Sequence, residues 1–157
     1  MFEKQNINDA VAILKQKFGE RLSEAQSVRQ HHAQSTTRME QQLPDAVIFA
    51  ETTQEVSDIL TICNQYRCPV VAFGVGSSLE GHVNASHGGI SIDLNAMNEI
   101  LKVNSEDLDT VIQPGVTRVQ LNEHLRDSGL FFPIDPGANA SLGGMAATRA
   151  SGTNAVR

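Results

Sequence analysis

Hydrophobic positions recur at two different spacings along this chain, and the change of spacing divides it. In the first third, Ile7, Val11, Leu14 and Phe18 follow at three- and four-residue intervals, as one face of a helix does. They predict a helix over 9–17, capped by Asn8 and ended by Gly19 in a left-handed conformation. A second helix is expected over 23–30, and the polar stretch 31–43 reads as a connection. From Pro44 onward short apolar runs take over. Ala46-Val47-Ile48-Phe49-Ala50 predicts a buried strand, and Thr52-x-x-Glu55 is a capping box opening a helix that turns Val56, Ile59, Leu60 and Cys63 inward. Pro69 to Phe73 predicts the next strand, giving a strand-helix-strand unit of about 30 residues, as a parallel crossover needs. Further strands are expected over 89–94 (alternating), 99–103 and 110–113. Thr117 caps a helix to about Arg126 that carries Val119, Leu121 and Leu125, with Gly129 after it.

This pattern predicts an α+β fold with a helical segment over 1–43 and an organised domain over 44–157. No internal repeat interrupts it. The 157 residues suffice for one domain with a core, and 40% of them are hydrophobic. The formal net charge of −6 argues against nucleic acid or an anionic membrane as the main partner. No apolar run approaches the roughly 20 residues of a transmembrane helix, and the first residues lack the apolar core of a signal peptide. The expectation is a cytoplasmic chain, with peripheral attachment to the inner membrane as a variant. Cys63 and Cys68 fit neither Cys-x-x-Cys nor a zinc pattern and read as small thiols in a reducing compartment. His31 and His32 read as solvated, His124 as mid-helix, and His87 as a loop residue without metal-ligand spacing, so no metal site is expected.

Glycine changes the picture most. Of 12 glycines, 11 lie after position 70. Gly74-Val75-Gly76-Ser77-Ser78 follows a strand directly. Glycines there let successive N–H groups converge on an anion, and the two serines add hydroxyl donors. An ordinary Gly-Ser turn is the competing reading. A nucleotide-triphosphate loop is excluded because no Gly-Lys-Ser/Thr closes the stretch, and Leu79 stands where a Rossmann fingerprint needs its third glycine. A second stretch, Asp135 to Gly152, is built almost entirely of small residues. These bury little area, so close backbone approach to a ligand explains them better than packing does, with a Gly/Ala loop and a short helix as the competing reading.

Four ordered motifs, Pro44-Asp45-Ala46-Val47, Gly74 to Gly81, Gln113-Pro114-Gly115-Val116-Thr117 and Asp135 to Arg157, carry a resemblance. Together they resemble the FAD-binding domain of the vanillyl-alcohol oxidase/p-cresol methylhydroxylase superfamily. The nearest likeness is to its D-lactate dehydrogenase (cytochrome) and glycolate oxidase FAD-subunit group, with the ending Ala147 to Arg157 most like the D-lactate branch. The resemblance implies the N-terminal part of a p-cresol methylhydroxylase-type domain, cut short at its C-terminal end. It also implies roles. Gly74, Val75, Gly76, Ser77 and Ser78 would surround the FAD pyrophosphate. Pro136, Gly137 and Ala138 would run beside the flavin. Ser141 would bond a phosphate or ribityl oxygen, Gly143 and Gly144 would allow close approach, and Ser151 and Gly152 would lie near the isoalloxazine or diphosphate. Covalent members carry a histidine just after the loop glycines; Ser77 stands there, so noncovalent FAD is expected, with His82 a loop residue. In relatives a D-2-hydroxy acid, D-lactate foremost, passes a hydride to the flavin, and a cytochrome or quinone takes the electrons. The residues that hold substrate and metal belong to the C-terminal half of such proteins, beyond Arg157, so no catalytic residue is assigned within this chain. The alternatives are a catalytically silent flavin-binding module that needs a partner chain, and a non-flavin nucleotide-binding or interaction domain.

Overall fold

The computed structural model describes residues 3–35 and 38–152. Helix α1 (Lys4–Phe18) buries Ile7, Ala10, Val11, Leu14 and Phe18 along one stripe. It begins well before the expected Asn8 cap. Ile7 belongs to the buried stripe and must be helical to reach the core, and Gln5 Nε2 donates to Asp9 Oδ1 at 2.8 Å one turn on. Gly19 ends the helix with φ +58 and ψ −126, which is positive φ without the left-handed α conformation. A single 3₁₀ turn (Gly19–Arg21) leads into strand β1 (Leu22–Ser23), which sequence patterning missed. The second helix therefore starts later than expected, as α2 (Gln26–Ala33). Buried Leu22 pairs with Ile48 across the sheet edge, and this non-local pairing outweighs local helix preference.

The remaining elements are β2 (Ala46–Phe49), α3 (Thr53–Gln65), β3 (Val70–Phe73), β4 (Ile90–Asp93), β5 (Ile100–Asn104), β6 (Asp109–Ile112), α4 (Arg118–Leu125) and α5 (Leu142–Thr148). A four-stranded sheet runs β1-β2-β4-β3, and β5 and β6 form a separate antiparallel pair. β2 and β3 are both parallel to β4, which lies between them. The β2-α3-β3 crossover thus skips a position that the later strand fills. That central position explains why β4 is buried at all four residues and does not alternate.

Thr52 caps α3 by accepting from Glu55 N at 3.2 Å, while Glu55 Oε2 accepts from Glu51 N at 2.8 Å, one residue earlier than a strict capping box. Val56, Ile59 and Cys63 face the core, whereas Leu60 is 45% exposed because Ile62 and Tyr66 take the inner face. Likewise Val119 of α4 is 37% exposed while Leu121 and Leu125 are buried.

Two apolar clusters form. The larger joins α1, β1, β2, α3 and β4; the smaller joins α4 and α5 to the β5–β6 pair through Val116, Leu121, Leu142 and Met145. Turn 113–116 links them. Gly115 N donates to Met97 O at 2.7 Å, on the side of the larger cluster, while Pro114 O and Val116 O accept from Gly143 N (2.9 Å) and Leu142 N (2.7 Å) of α5. Gly115 has no room for a side chain: a Cβ there would lie 2.5 Å from Leu94 O.

Candidate functional site

The parallel strands end together. Register pairs Phe49 of β2 and Phe73 of β3 with Asp93 of β4, so all three carboxyl ends open on one edge. In open parallel sheets ligands bind outside such edges. The Gly74–Ser78 loop leaves β3 there. Leu94 N donates to Phe73 O at 3.0 Å and Asn95 Nδ2 to Gly74 O at 2.9 Å, which fixes where the loop starts. Gly76 has φ +71, a conformation that side chains resist. Ser78 O accepts from Ser35 Oγ at 2.8 Å, and Ser78 Oγ bonds His82 Nδ1 at 2.5 Å.

The second glycine-rich stretch comes back to this loop. A Cβ on Gly74 would lie 2.4 Å from Ser141 Oγ, and one on Gly144 3.0 Å from the same oxygen. Gly74, Ser141 and Gly144 are therefore contiguous although Gly74 and Ser141 stand far apart in sequence. Ser141 is 3% exposed, occupies the N-cap of α5 and makes no capping bond with its hydroxyl. Among the described residues no protein oxygen accepts from the backbone N–H groups of Val75, Gly76, Ser77 or Ser78. Amides without a protein acceptor beside a positive-φ glycine, with the Ser141 hydroxyl against the first residue of the loop, fit a diphosphate.

The other expected site residues are arranged differently. Gly143 packs on protein rather than open space: a Cβ there would lie 2.5 Å from Pro114 Cβ and 2.7 Å from Pro114 O. Gly152 lies against Asp135, where a Cβ would come within 2.1 Å of Oδ1, so the two ends of the stretch close on each other. Pro136 and Ala138 are half-buried, Gly137 and Ser151 exposed, and a Cβ on Gly137 would meet nothing within 4 Å. The end of the fourth motif, residues 153–157, lies outside the described residues.

His32 corrects the reading of it as solvated. It is 3% exposed, with Nε2 2.8 Å from Asp93 Oδ2 and Nδ1 2.9 Å from Val28 O. Its ring also packs on Phe73, with centroids 4.3 Å apart. His31 is exposed, as expected. The signal that could have located His32 is an acid, Asp93, ending a fully buried strand, since a buried carboxylate requires a partner. Cys63 and Cys68 are both free and buried. The hydrogen bond with Cys68, then burial, push the Cys63 thiol up. Among the described residues no three His, Cys, Asp or Glu side chains gather to hold a metal, and no helix is long and apolar enough to cross a membrane.

A family model described as "FAD binding domain" matches residues 44–157. The chain belongs to that family. FAD is accordingly the cofactor of this domain. Curated relatives include a probable mitochondrial D-lactate dehydrogenase of Danio rerio, 48% identical over 88% of this chain and 28% of that one. A mitochondrial D-lactate dehydrogenase [cytochrome] of Arabidopsis thaliana is 48% identical over 73% of this chain and 20% of that one. The chain thus spans between a fifth and three tenths of the length of these relatives. Among solved structures, an alkyldihydroxyacetonephosphate synthase superposes with TM-score 0.81 and 25% identity, over 92% of this chain and 32% of that one. Substrate-bound p-cresol methylhydroxylase superposes with TM-score 0.71 and 22% identity, over 84% of this chain and 26% of that one, a likeness of fold. The expected p-cresol methylhydroxylase-type architecture is therefore the one the FAD-binding domain has.

Proposed function

We propose that this chain is the FAD-binding portion of a flavin-dependent D-2-hydroxy-acid dehydrogenase, with D-lactate as substrate and a cytochrome or quinone as electron acceptor. The observation that carries it is the meeting of Gly74 with Ser141 beside free loop amides, in a chain of the FAD-binding family. D-lactate follows the names of the relatives from Danio rerio and Arabidopsis thaliana, and cytochrome follows the name of the second.

In this reading the amides of Val75, Gly76, Ser77 and Ser78 take the diphosphate oxygens, and the Ser141 hydroxyl donates to a phosphate or ribityl oxygen. Gly144 keeps the space beside that hydroxyl open. Pro136 to Ala138, Ser151 and Gly152 form the rim along the flavin. Bound FAD supplies hydride acceptance, while the protein supplies position and electrostatics. Attachment is noncovalent: Ser77 cannot serve as a flavin-linking histidine, and the exposed His82 is bonded to Ser78. The site of action is proposed as the cytoplasm or the inner-membrane surface. Both relatives are named mitochondrial, and cell fractionation separates these locations.

The test is purification of the chain with FAD, followed by acid denaturation. All flavin is expected in the supernatant and the polypeptide at its sequence mass; a flavin-sized adduct overturns noncovalent attachment, and absence of flavin overturns the reading. The short coverage of the relatives favours a second reading, a module that binds FAD without turnover until a partner region completes it. Bound flavin that D-lactate fails to bleach in the chain alone, but does bleach when the remaining length of a relative is supplied, is the outcome for that reading.

A further inference from the structure

The family match begins at Pro44, yet the element lying over the carboxyl edge of the sheet is α2, which precedes it. His32 touches the last residue of all three parallel strands. Its ring centroid lies 5.7 Å from that of Phe49 and 4.3 Å from that of Phe73, and its Nε2 is 2.8 Å from Asp93 Oδ2. Nδ1 faces the Val28 carbonyl at 2.9 Å. A carbonyl can only accept, so Nδ1 carries a proton and the ring is fixed to its own helix. The other oxygen of Asp93 accepts from Asn95 N at 2.8 Å, and Asn95 Nδ2 donates to Gly74 O at 2.9 Å. One polar chain therefore runs from α2 through the end of β4 to the first loop residue. The residues just after α2 reach the loop twice more. Ser35 Oγ donates to Ser78 O at 2.8 Å, and Gln34 O stands 3.5 Å from where a Cβ on Gly76 would be.

These contacts fall on the first, third and fifth residues of the loop, and two of them hold carbonyl oxygens. A trans peptide is planar with its N–H opposite its C=O. Holding Gly74 O on Asn95 therefore turns the Val75 N–H the other way, and holding Ser78 O on Ser35 fixes the far end of the loop, so the amides between are held at both ends. We propose that α2 and the residues following it are a clamp, anchored by His32 and acting through Asn95 and Ser35, that aims the loop amides at the cofactor diphosphate. This rests on the reading of Gly74–Ser78 as the diphosphate loop. His32, Asn95 and Ser35 are then positioning residues.

The test compares wild type, Asn95→Ala, Ser35→Ala and Gly74→Val as full chains, measuring FAD affinity by flavin fluorescence, ADP by competition, and apoprotein Tm. Asn95→Ala removes an exposed side chain, so folding is expected to persist. Each clamp variant should weaken FAD about five-fold, the worth of one hydrogen bond, and should weaken ADP by the same factor because ADP carries the diphosphate without the flavin. Tm should move by less than about 2 °C. His32→Gln should act in the same direction and combine non-additively with Asn95→Ala, since both break one chain. If wild type binds FAD, Gly74→Val does not, and the clamp variants bind as wild type, the clamp is overturned and the loop reading stands. Affinity loss that tracks Tm and spares ADP also overturns it. If wild type binds no FAD, or Gly74→Val binds it normally, the loop reading falls and the clamp with it.

Discussion

Gly74→Ala tests the meeting of the two glycine-rich stretches with a single methyl group. The new Cβ would stand 2.4 Å from Ser141 Oγ, while the next nearest atom, Ser141 Cβ, is at an ordinary 3.5 Å. The clash is therefore with one oxygen. Ser141 must leave its rotamer or the backbone must shift, and overpacking of this kind costs about 1–3 kcal/mol. Against this, Gly74 lies outside the positive-φ region, so alanine also restricts the unfolded chain and returns about 0.4–1 kcal/mol. The net expectation is a loss of about 1 kcal/mol, a fall in Tm of about 3 °C for a chain this size. In a Ser141→Ala background the oxygen is gone, and Gly74→Ala should instead stabilise by about 0.5 kcal/mol. The cycle thus carries a coupling of about 1.5 kcal/mol. Thermal melts of the four apoproteins by circular dichroism measure it without any cofactor. Additive effects would refute the reasoning, because they would mean that Gly74 and Ser141 do not touch.

Three further outcomes follow from the same geometry. Gly89→Ala should be the more damaging glycine change, costing about 3 kcal/mol in denaturant unfolding, because φ is +91 and a Cβ would lie 2.1 Å from the Pro69 carbonyl oxygen. Asp93→Ala strips the buried His32 of its partner and should cost about 3 kcal/mol by the same measurement; a change below about 1 kcal/mol would show the pair to be unimportant for stability. Glu55 is held below the ordinary carboxylate range, first by hydrogen bonds from Arg21 and against the opposing effect of burial. A depressed carboxyl contributes stability above its unfolded value of about 4.3 and loses it as pH falls through the folded value. Glu55→Gln should therefore flatten the stability curve below about pH 4, by about 0.5 kcal/mol given its partial exposure; an unchanged acid limb would count against the pairing.

The sequence was legible where local rules decide. Thr52 and Thr117 cap their helices through the expected side-chain bonds, and the strands over 46–49, 70–73 and 90–93 fall where they were expected, the last without its expected alternation. It misled where partners come from far away. Leu22 joins a strand because Ile48 is beside it, and His32 is buried because Asp93 needs a partner. Neither fact has a local signature. The glycine-rich stretches were found from composition, but composition assigned all their glycines to ligand approach. The structure divides them: Gly74 and Gly144 face Ser141, whereas Gly143 and Gly152 accommodate Pro114 and Asp135.

That division bears on how the site is built. The loop proposed to take the diphosphate leaves β3, a single strand at the sheet's edge. Here it is gripped from two directions. Asn95 and Ser35 hold the outer carbonyls of the loop, and Ser141 abuts its first residue from α5. Turn 113–116 in turn fixes α5 against Met97, close to Asn95 on the segment that leaves β4. The route from Asn95 through Met97, Gly115 and Gly143 to Ser141 therefore closes a ring on Gly74, backbone bonds along its length and the side chains of Asn95 and Ser141 at its two ends. A ring of this kind makes the position of Ser141 depend on Gly115, whose missing side chain admits the carbonyls of Leu94 and Met97. In the proposed diphosphate site, small residues at 115 and 143 therefore help to hold Ser141 against Gly74, the contact whose energy the Gly74→Ala cycle measures.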